Sequence, residues 1–287
     1  MEIITRRPGI EETPALRQIW RTVFGGSDDG IFFSYYYEHS ICITAGREDS
    51  PVSAGYFIPA GNVSCGKLTV PCAMIYAVAT MPEHRNRGYG SAVVRALISA
   101  ARDAGFPAVV LCPSGDDLFG YYSANTELRE WFYTSEQRIA APRQNAGCAR
   151  LSRISAEEYR TLRNTLLAGK PHIGSDRRAV EYQDLLCREF GGGLYRADSP
   201  DGVSCAVVER APDGVIFVKE LLTPSAGENG IISAVSAAYP APGYIVRSPV
   251  RSRTAACKRF GMLAIPEEFN EIFKKERNIP WYGLAFD

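Results

Sequence analysis

Apolar positions along the chain change their spacing repeatedly, and those changes divide it into elements. In "EETPALRQIWRTVFGG" Leu16, Ile19, Trp20 and Val23 recur at helical spacing, Thr13 is placed to cap, Pro14 suits the first turn, and Gly25 and Gly26 close the run. The aromatic stretch "IFFSYYYEHS" follows. Then "ICITAG", "PVSAGYFIPAG" and "GKLTV" read as strands of an antiparallel meander separated by turn-forming residues. "CAMIYAVAT" has no polar alternation and predicts a strand buried on both faces. Directly after it, "HRNRGYGSAVVRAL" starts with charge and glycine and becomes helical, with Val93, Val94, Leu97, Ile98 and Ala101 on one side and Arg95, Arg102 and Asp103 on the other. Gly105 and Pro107 stop this helix, and "AVVLCP" predicts a second buried strand. The order strand, glycine turn, helix, strand is a βαβ-like unit.

From about Ala140 to Ala149, "AAPRQNAGCA", small and polar residues take over, as in a linker. A helical pattern resumes in "SAEEYRTLRNTLL" behind a cap at Ser155, followed by strand-like "GGGLYRAD", "GVSCAVVERA" and "GVIFVKELLTP", helical "NGIISAVSAAY", strand-like "GYIVRSPV", and "TAACKRFGM". This order repeats that of the first half. "PVSAGYFIPAG" sits against "GVSCAVVERAP", and "AMIYAVATMP" against "VIFVKELLTP". At the turn the second half has "TPSAGENGI", without the arginines and the glycine spacing, so a duplication has lost its site in one copy. Chance similarity between short apolar strands is the alternative. With 287 residues, two domains are expected, 1–140 and 150–287. Near the end, "EEFNEIFKKERN" predicts an amphipathic helix with a solvated face, and the arginines of "RSPVRSRT" suit local salt bridges.

Composition narrows the function classes. Acidic and basic residues balance at 32 each, so no global field recruits nucleic acid or an anionic membrane. The eight cysteines are scattered without a CxxC pair and read as reduced core residues of a cytoplasmic protein. His39, His84 and His172 lie far apart, which gives no metal-ligand spacing and predicts no metal. The N-terminus lacks a signal-length apolar core, and no run reaches the ~20 apolar residues that span a bilayer.

The glycine turn remains as the carrier of chemistry. A helix start leaves N–H groups without intrahelical partners and carries partial positive charge, which makes it an anion site. Gly88 and Gly90 allow close approach, and Arg85 and Arg87 add full charge. A P-loop requires Lys-Ser or Lys-Thr after the glycines, and a dinucleotide turn requires a third glycine where Val93 stands. What remains is Arg85-x-x-Gly88-x-Gly90 at a strand-to-helix junction.

"VATMPEHRNRGYGSAVVRAL" resembles the acetyl-CoA-binding motif of the GCN5-related N-acetyltransferase (GNAT) superfamily, R/Q-x-x-G-x-G/A between the central strand and the long helix. The duplicated layout is similar to the enhanced intracellular survival type, which pairs an active N-terminal GNAT domain with a degenerate second one. The resemblance implies an α/β (α+β) fold of two GNAT-like domains, each a mixed, mostly antiparallel sheet flanked by helices. It implies an acetyl-CoA-dependent N-acyltransferase acting on a small-molecule or peptide amine, with the active site in the first domain. The alternative is a non-catalytic acyl-CoA-binding or regulatory protein. A homo-oligomer stays open.

The resemblance also assigns roles. The backbone of Val78, Ala79 and Thr80 pairs with the pantetheine arm, and Arg85, Asn86, Arg87, Gly88, Tyr89, Gly90 and Ser91 hold the diphosphate. The departing thiolate needs an acid, which such enzymes often take from a tyrosine in a pattern like F-Y-x-x-x-G-F. In "LFGYYSANTEL" Tyr122 fits best and Tyr121 next, with Thr126 where the glycine is expected; packing alone is the other reading of both tyrosines. In the survival-type enzymes the chain's own terminal carboxylate reaches the site, which makes Asp287 a candidate base, against simple packing of the apolar tail around Trp281, Tyr282 and Phe286. Trp20, Phe24, Phe32, Phe33, Tyr35, Tyr36 and Tyr37 fall where GNATs bind their acceptor, with Glu38, Asp28 and Asp29 available to attract positive charge; most of the aromatics read as core.

Overall fold

The structure, a computed structural model, describes residues 3–26, 29–47, 50–140, 149–224, 228–250 and 257–286. In chain order the elements begin with β1 (Ile4–Arg6), α1 (Thr13–Phe24), a short turn α2 (Asp29–Ile31), β2 (Ile41–Arg47), β3 (Ser50–Cys65) and β4 (Leu68–Thr80). Next come α3 (Tyr89–Asp103), β5 (Ala108–Leu111), α4 (Asp117–Asn125), β6 (Arg129–Ala140), β7 (Arg150–Arg153), α5 (Ala156–Leu167), β8 (His172–Ser175) and α6 (Arg177–Glu189). The chain then runs through β9 (Gly193–Ser199), β10 (Gly202–Arg210), β11 (Ile216–Leu222), α7 (Glu228–Ala238), β12 (Gly243–Pro249), β13 (Cys257–Ala264) and α8 (Glu267–Lys275). Two units interleave along it: Met1–Val63, Thr69–Trp131 and Gly261–Lys274 in the first, Ser64–Leu68, Phe132–Phe260 and Lys275–Asp287 in the second. The sequence pattern divides the chain once, near residues 141–148, which lie outside the described residues. The exchanged segments carry no compositional mark.

In the first unit the sheet order is β1-β2-β3-β4-β5-β13. β1, β2 and β3 pair antiparallel, β4 and β5 pair parallel from Cys72↔Ala108 to Ile75↔Leu111, and β13 closes antiparallel on β5. A parallel pair needs a crossover, and α3 supplies it. Its stripe of Val93, Val94, Leu97, Ile98 and Ala101 packs on Ile43, Phe57, Ala73, Ile75 and Leu111. "GKLTV" and "CAMIYAVAT", which look separate in sequence, are one strand, β4, that passes through an exposed Pro71. The aromatic stretch is helical: α2 runs on as a π-helical segment over Phe32–Tyr36. It covers the other face, where Trp20 stacks on Phe32 at 4.7 Å and Phe32 meets Tyr56 at 4.8 Å. Glu12, rather than Thr13, precedes the first helical residue; Thr13 spends its hydroxyl on the Ile10 carbonyl at 2.7 Å.

One backbone feature of β4 sets up the site. Side chains alternate along a strand, so Ala73 and Ile75 face α3 and Tyr76 faces the aromatics. Ala77 has φ 49°, a left-handed value rare for a residue with a Cβ. The kink shifts the phase by one residue, and Val78 rather than Ala77 packs against the α3 core.

The second unit has sheet order β6-β12-β11-β10-β9-β7, with β11 and β12 parallel from Ile216↔Tyr244 to Val218↔Val246. Ser155 caps α5 as expected, with Glu158 completing a reciprocal capping box. β11 also slips by one residue: Val208 pairs Val218 while Val207 pairs Glu220, so Lys219 is extra. Ile216, Val218 and Leu221 share one core, repeating the phase of Ala73, Ile75 and Val78. Ile75 therefore corresponds to Val218, one residue later than the letter-by-letter match of the two strands. The "RSPVRSRT" segment shows one ion pair among its described residues, buried Arg247 to Glu136 at 3.5 Å, with the guanidinium lying over Phe217 and Phe260.

The apolar tail is held in this second unit by a buried ionic network. Arg163 and Glu220, both fully buried, pair at 2.8 Å. Glu220 also accepts from Tyr159 Oη at 2.5 Å and Trp281 Nε1 at 2.7 Å, while Arg163 donates to the carbonyls of Ile173 and Tyr282, each at 2.7 Å. Gly283 has φ 76°, and a Cβ there would run into Glu220 Oε1 and the Trp281 ring. The last described residue, Phe286, meets Tyr182 edge-on at 5.1 Å. Asp287 lies outside the described residues.

The described cysteines are free thiols, and no described helix is long and apolar enough to cross a membrane. Burial pushes the Cys42 and Cys187 thiols up to about 12.

Two outcomes follow from the buried groups. Glu220→Ala leaves Arg163 buried without its carboxylate and costs about 3–5 kcal/mol, read by urea unfolding. Buried thiols hold protons that the unfolded chain releases above pH ~8.5, so stability is intact below that and falls as pH rises toward 12, by about 1.4 kcal/mol per unit for each thiol. Melting curves across pH 8 to 11 check this, and Cys42→Ala makes the alkaline slope shallower.

Candidate active site

The predicted anion turn sits between β4 and α3. Asn86 and Gly88 both have left-handed backbones, φ 61° and 84°; asparagine tolerates this region and glycine enters it freely. Two such residues fold the chain sharply enough to start α3 with Gly88 as its N-cap. Gly88 offers no side-chain cap, and its carbonyl accepts from Ala92 N at 3.1 Å and Ser91 Oγ at 3.0 Å. Arg85, Asn86, Arg87 and Gly88 are all exposed. Their charges and the helix start thus face solvent, where a diphosphate can reach them. Arg85 folds back so that its Nε donates to the Thr80 carbonyl at 3.3 Å.

Beyond Ile75 and Leu111 the pairing of β4 with β5 ends, while β4 continues to Thr80. Val78, Ala79 and Thr80 therefore lie past the parallel ladder, on the strand that leads into the turn. Ser53 Oγ donates to the Ala79 carbonyl at 2.8 Å and lies 2.9 Å from Thr80 Oγ1, and Met81 N donates to Val52 O at 2.9 Å. β3 thus holds this part of β4 from one side. Ser53 carries no sequence signal as a site residue; its role depends on register.

α4 brings both tyrosines to the same region with different surroundings. Tyr122 is buried among Ile75, Val94, Leu111 and Phe119, and desolvation, with the neighbouring Tyr121 adding to it, pushes its phenol up to about 12. Such a phenol keeps its proton at neutral pH. Tyr121 is 37% exposed, and its hydroxyl accepts the Ser91 N–H at 3.0 Å, at the start of α3. Thr126, at the position of the expected glycine, ends α4 by donating its Oγ1 to the Tyr122 carbonyl at 2.7 Å.

On the opposite face of the sheet Tyr76, one residue before the kink, meets Trp20 at 5.8 Å and Phe32 at 5.6 Å. Trp20, Phe32, Phe33 and Tyr36 are buried core; Tyr35 and Tyr37 are half-buried, and Phe24 is exposed. Asp29 does not supply a free negative charge. It is buried, with Arg21 Nη2 at 2.8 Å and Arg17 Nη1 at 3.4 Å. Asp28 lies outside the described residues, and Glu38 is exposed.

The second unit has a cavity of about 560 Å³ at the corresponding strand ends, lined by Leu222, Thr223, Pro249, Glu228 and Trp281 among others. Lys170 and Arg277 also line it, and Glu228 is the first described residue of α7.

The acetyltransferase (GNAT) domain family matches residues 5–123, the first unit up to α4. No curated protein matches the chain by sequence. Among solved structures, a GCN5-related N-acetyltransferase from Kribbella flavida superposes with TM-score 0.66 at 16% identity, over 92% of this chain and 71% of that one. Eis1 from Mycobacterium abscessus gives 0.64 at 13% identity, over 92% and 74%. A tandem GNAT protein from the clavulanic acid biosynthesis pathway gives 0.55 at 11% identity, over 92% and 98%. These likenesses extend through both units and bear out the tandem fold that the sequence motif suggested.

The two glycines of the turn respond differently to alanine. At Gly88 the left-handed backbone makes Gly88→Ala cost about 1–2 kcal/mol. At Gly90 a Cβ would only touch Thr80 Oγ1 and Tyr121 Oη at 3.6 Å, so Gly90→Ala leaves stability within about 0.5 kcal/mol. Denaturant unfolding of the two variants separates them.

Proposed function

We propose that this chain, whose residues 5–123 match the acetyltransferase (GNAT) domain family, is a member of the GNAT superfamily and moves an acetyl group from acetyl-CoA to an amine of a small molecule or peptide. The observation that carries this reading is the join of three features in that unit: a parallel ladder that ends at Ile75, an exposed left-handed turn, and the start of α3. The N–H groups of the turn, with Arg85 and Arg87, suit the diphosphate, and the backbone of Val78, Ala79 and Thr80 suits the pantetheine arm. The donor's carbonyl then falls near the kink at Ala77.

The chemistry is direct transfer. An uncharged amine attacks the thioester carbonyl, the C–N bond forms as the C–S bond breaks, the nitrogen gives up one proton, and the departing thiolate takes one. Holding the two reactants together contributes much of the acceleration. Tyr122 is assigned as the proton donor, because it fits the tyrosine pattern best and its place on α4 puts it in one core cluster with Ile75 and Val78. The attacking amine must first lose its own proton, and Asp287 is the candidate to accept it. The counterpart turn of the second unit, "TPSAGENGI", has neither the arginines nor the glycine spacing of the first, so one active site per chain is assigned.

Thiol release from acetyl-CoA in the presence of a panel of small and peptide amines, together with calorimetric binding of CoA, tests the reading. Turnover with at least one amine is expected. Binding without turnover on any amine points to a non-catalytic acyl-CoA-binding protein, and no binding overturns both. Gly88→Asp abolishes CoA binding through bulk and charge. Tyr122→Phe lowers kcat by about 100-fold or more and leaves CoA binding within about twofold; an unchanged kcat removes Tyr122 from its role.

A further inference from the structure

Tyr121 and Tyr122 are neighbours on one helix, yet only one of them is buried. Tyr121 leaves the core, is 37% exposed, and extends to the first turn of α3, where Ser91 N–H donates to its hydroxyl at 3.0 Å. Ser91 is the third residue of that helix, so its N–H is one of those without an intrahelical acceptor. The N-cap, Gly88, has no side chain to serve it. A phenol oxygen that accepts this bond still has one proton to give. Hydrogen-bond geometry directs that proton away from the amide, toward the space outside the helix start.

That space is bounded by the end of β4 and by the bare backbone of Gly90. A Cβ built on Gly90 would lie 3.6 Å from both Tyr121 Oη and Thr80 Oγ1, so the hydroxyl stands over the passage between the turn and the strand end. We infer that Tyr121 is a cofactor-binding residue: held by Ser91 N–H, its hydroxyl donates to a diphosphate oxygen of acetyl-CoA and adds a donor beside the row of turn amides. This rests on the diphosphate site proposed above. The bond passes the positive potential of the helix start on to the phenol proton, which makes the phenol a better donor to an anion than an isolated tyrosine.

Tyr121→Phe keeps the ring and removes the donor. Calorimetry with CoA is expected to show Kd raised by about tenfold, as for loss of one hydrogen bond to a charged acceptor. Direct binding of inorganic pyrophosphate weakens by a similar factor in the same variant, and the melting temperature stays within about 2 °C. An unchanged Kd overturns the inference. A lowered Kd also overturns it, since the hydroxyl would then merely occupy the place of a phosphate oxygen. Gly88→Asp in the same assay keeps the two readings apart: if it abolishes CoA binding while Tyr121→Phe does not change it, the diphosphate site stands and the role of Tyr121 falls. Absence of CoA binding by the unaltered chain overturns both.

Discussion

The first unit depends on where one parallel ladder stops. β4 and β5 pair for the four steps that end at Ile75↔Leu111, and β4 then continues alone on that side. A cleft between two adjacent strands is costly, since each leaves N–H and C=O groups to be satisfied. The chain limits that cost from the other side: β3 holds β4 through Ser53 and Val52, and the left-handed Ala77 turns the strand so that Val78 rejoins the α3 core. The result is a strand end anchored on one side and open to a partner on the other, leading directly into the turn and the start of α3.

The second unit begins from the same plan and resolves it differently. Its ladder ends at Val218↔Val246, its strand slips by one residue at Lys219, and its core residues resume in the same phase. Both central strands change phase within the same short stretch, between Ile75 and Val78 in one and between Val218 and Leu221 in the other, which is harder to obtain by chance than similar apolar letters and favours duplication. In the matched register Ala77 corresponds to Glu220. A small side chain in one copy is thus a carboxylate in the other, fully buried and bound by Arg163, Tyr159 and Trp281. A buried charge pair is tolerated only when its remaining polar groups are also satisfied, and the tail residues Trp281 and Tyr282 supply two of the required partners. In the second unit a buried ionic network thus stands where the first has a small side chain, and it anchors the tail.

Features that rest on local chemistry were legible in the sequence. The spacing of Val93, Val94, Leu97, Ile98 and Ala101 marked α3, the unbroken apolar runs marked β4 and β5, and Ser155 with Glu158 marked the start of α5. Those that depend on register were not. A one-residue slip leaves no trace in an apolar run, so the match of Ile75 with Val218 came only from seeing which side chains share a face. The Arg163–Glu220 pair joins residues far apart in sequence, and neither the helix nor the strand that carries them announces a buried charge. Asp29 misled for the same reason: its two arginines sit eight and twelve residues back along the chain on α1, where nothing in the letters assigns them to it.

In the roles proposed for the tyrosine pair, one helix serves both binding and proton transfer. Consecutive residues point about 100° apart around a helix, so Tyr121 and Tyr122 cannot share an environment. Tyr122 turns into the core, and its lost hydration keeps the phenol protonated, a property useful to a group that must give up a proton only when a thiolate forms beside it. Tyr121 turns outward and meets the start of α3, where a hydroxyl can orient without being desolvated. Had the two positions been exchanged, the exposed phenol would lie in water that competes for the proton, and the buried one would have no amide to hold it. The order of these two letters on α4 therefore follows from which side of the helix faces the core.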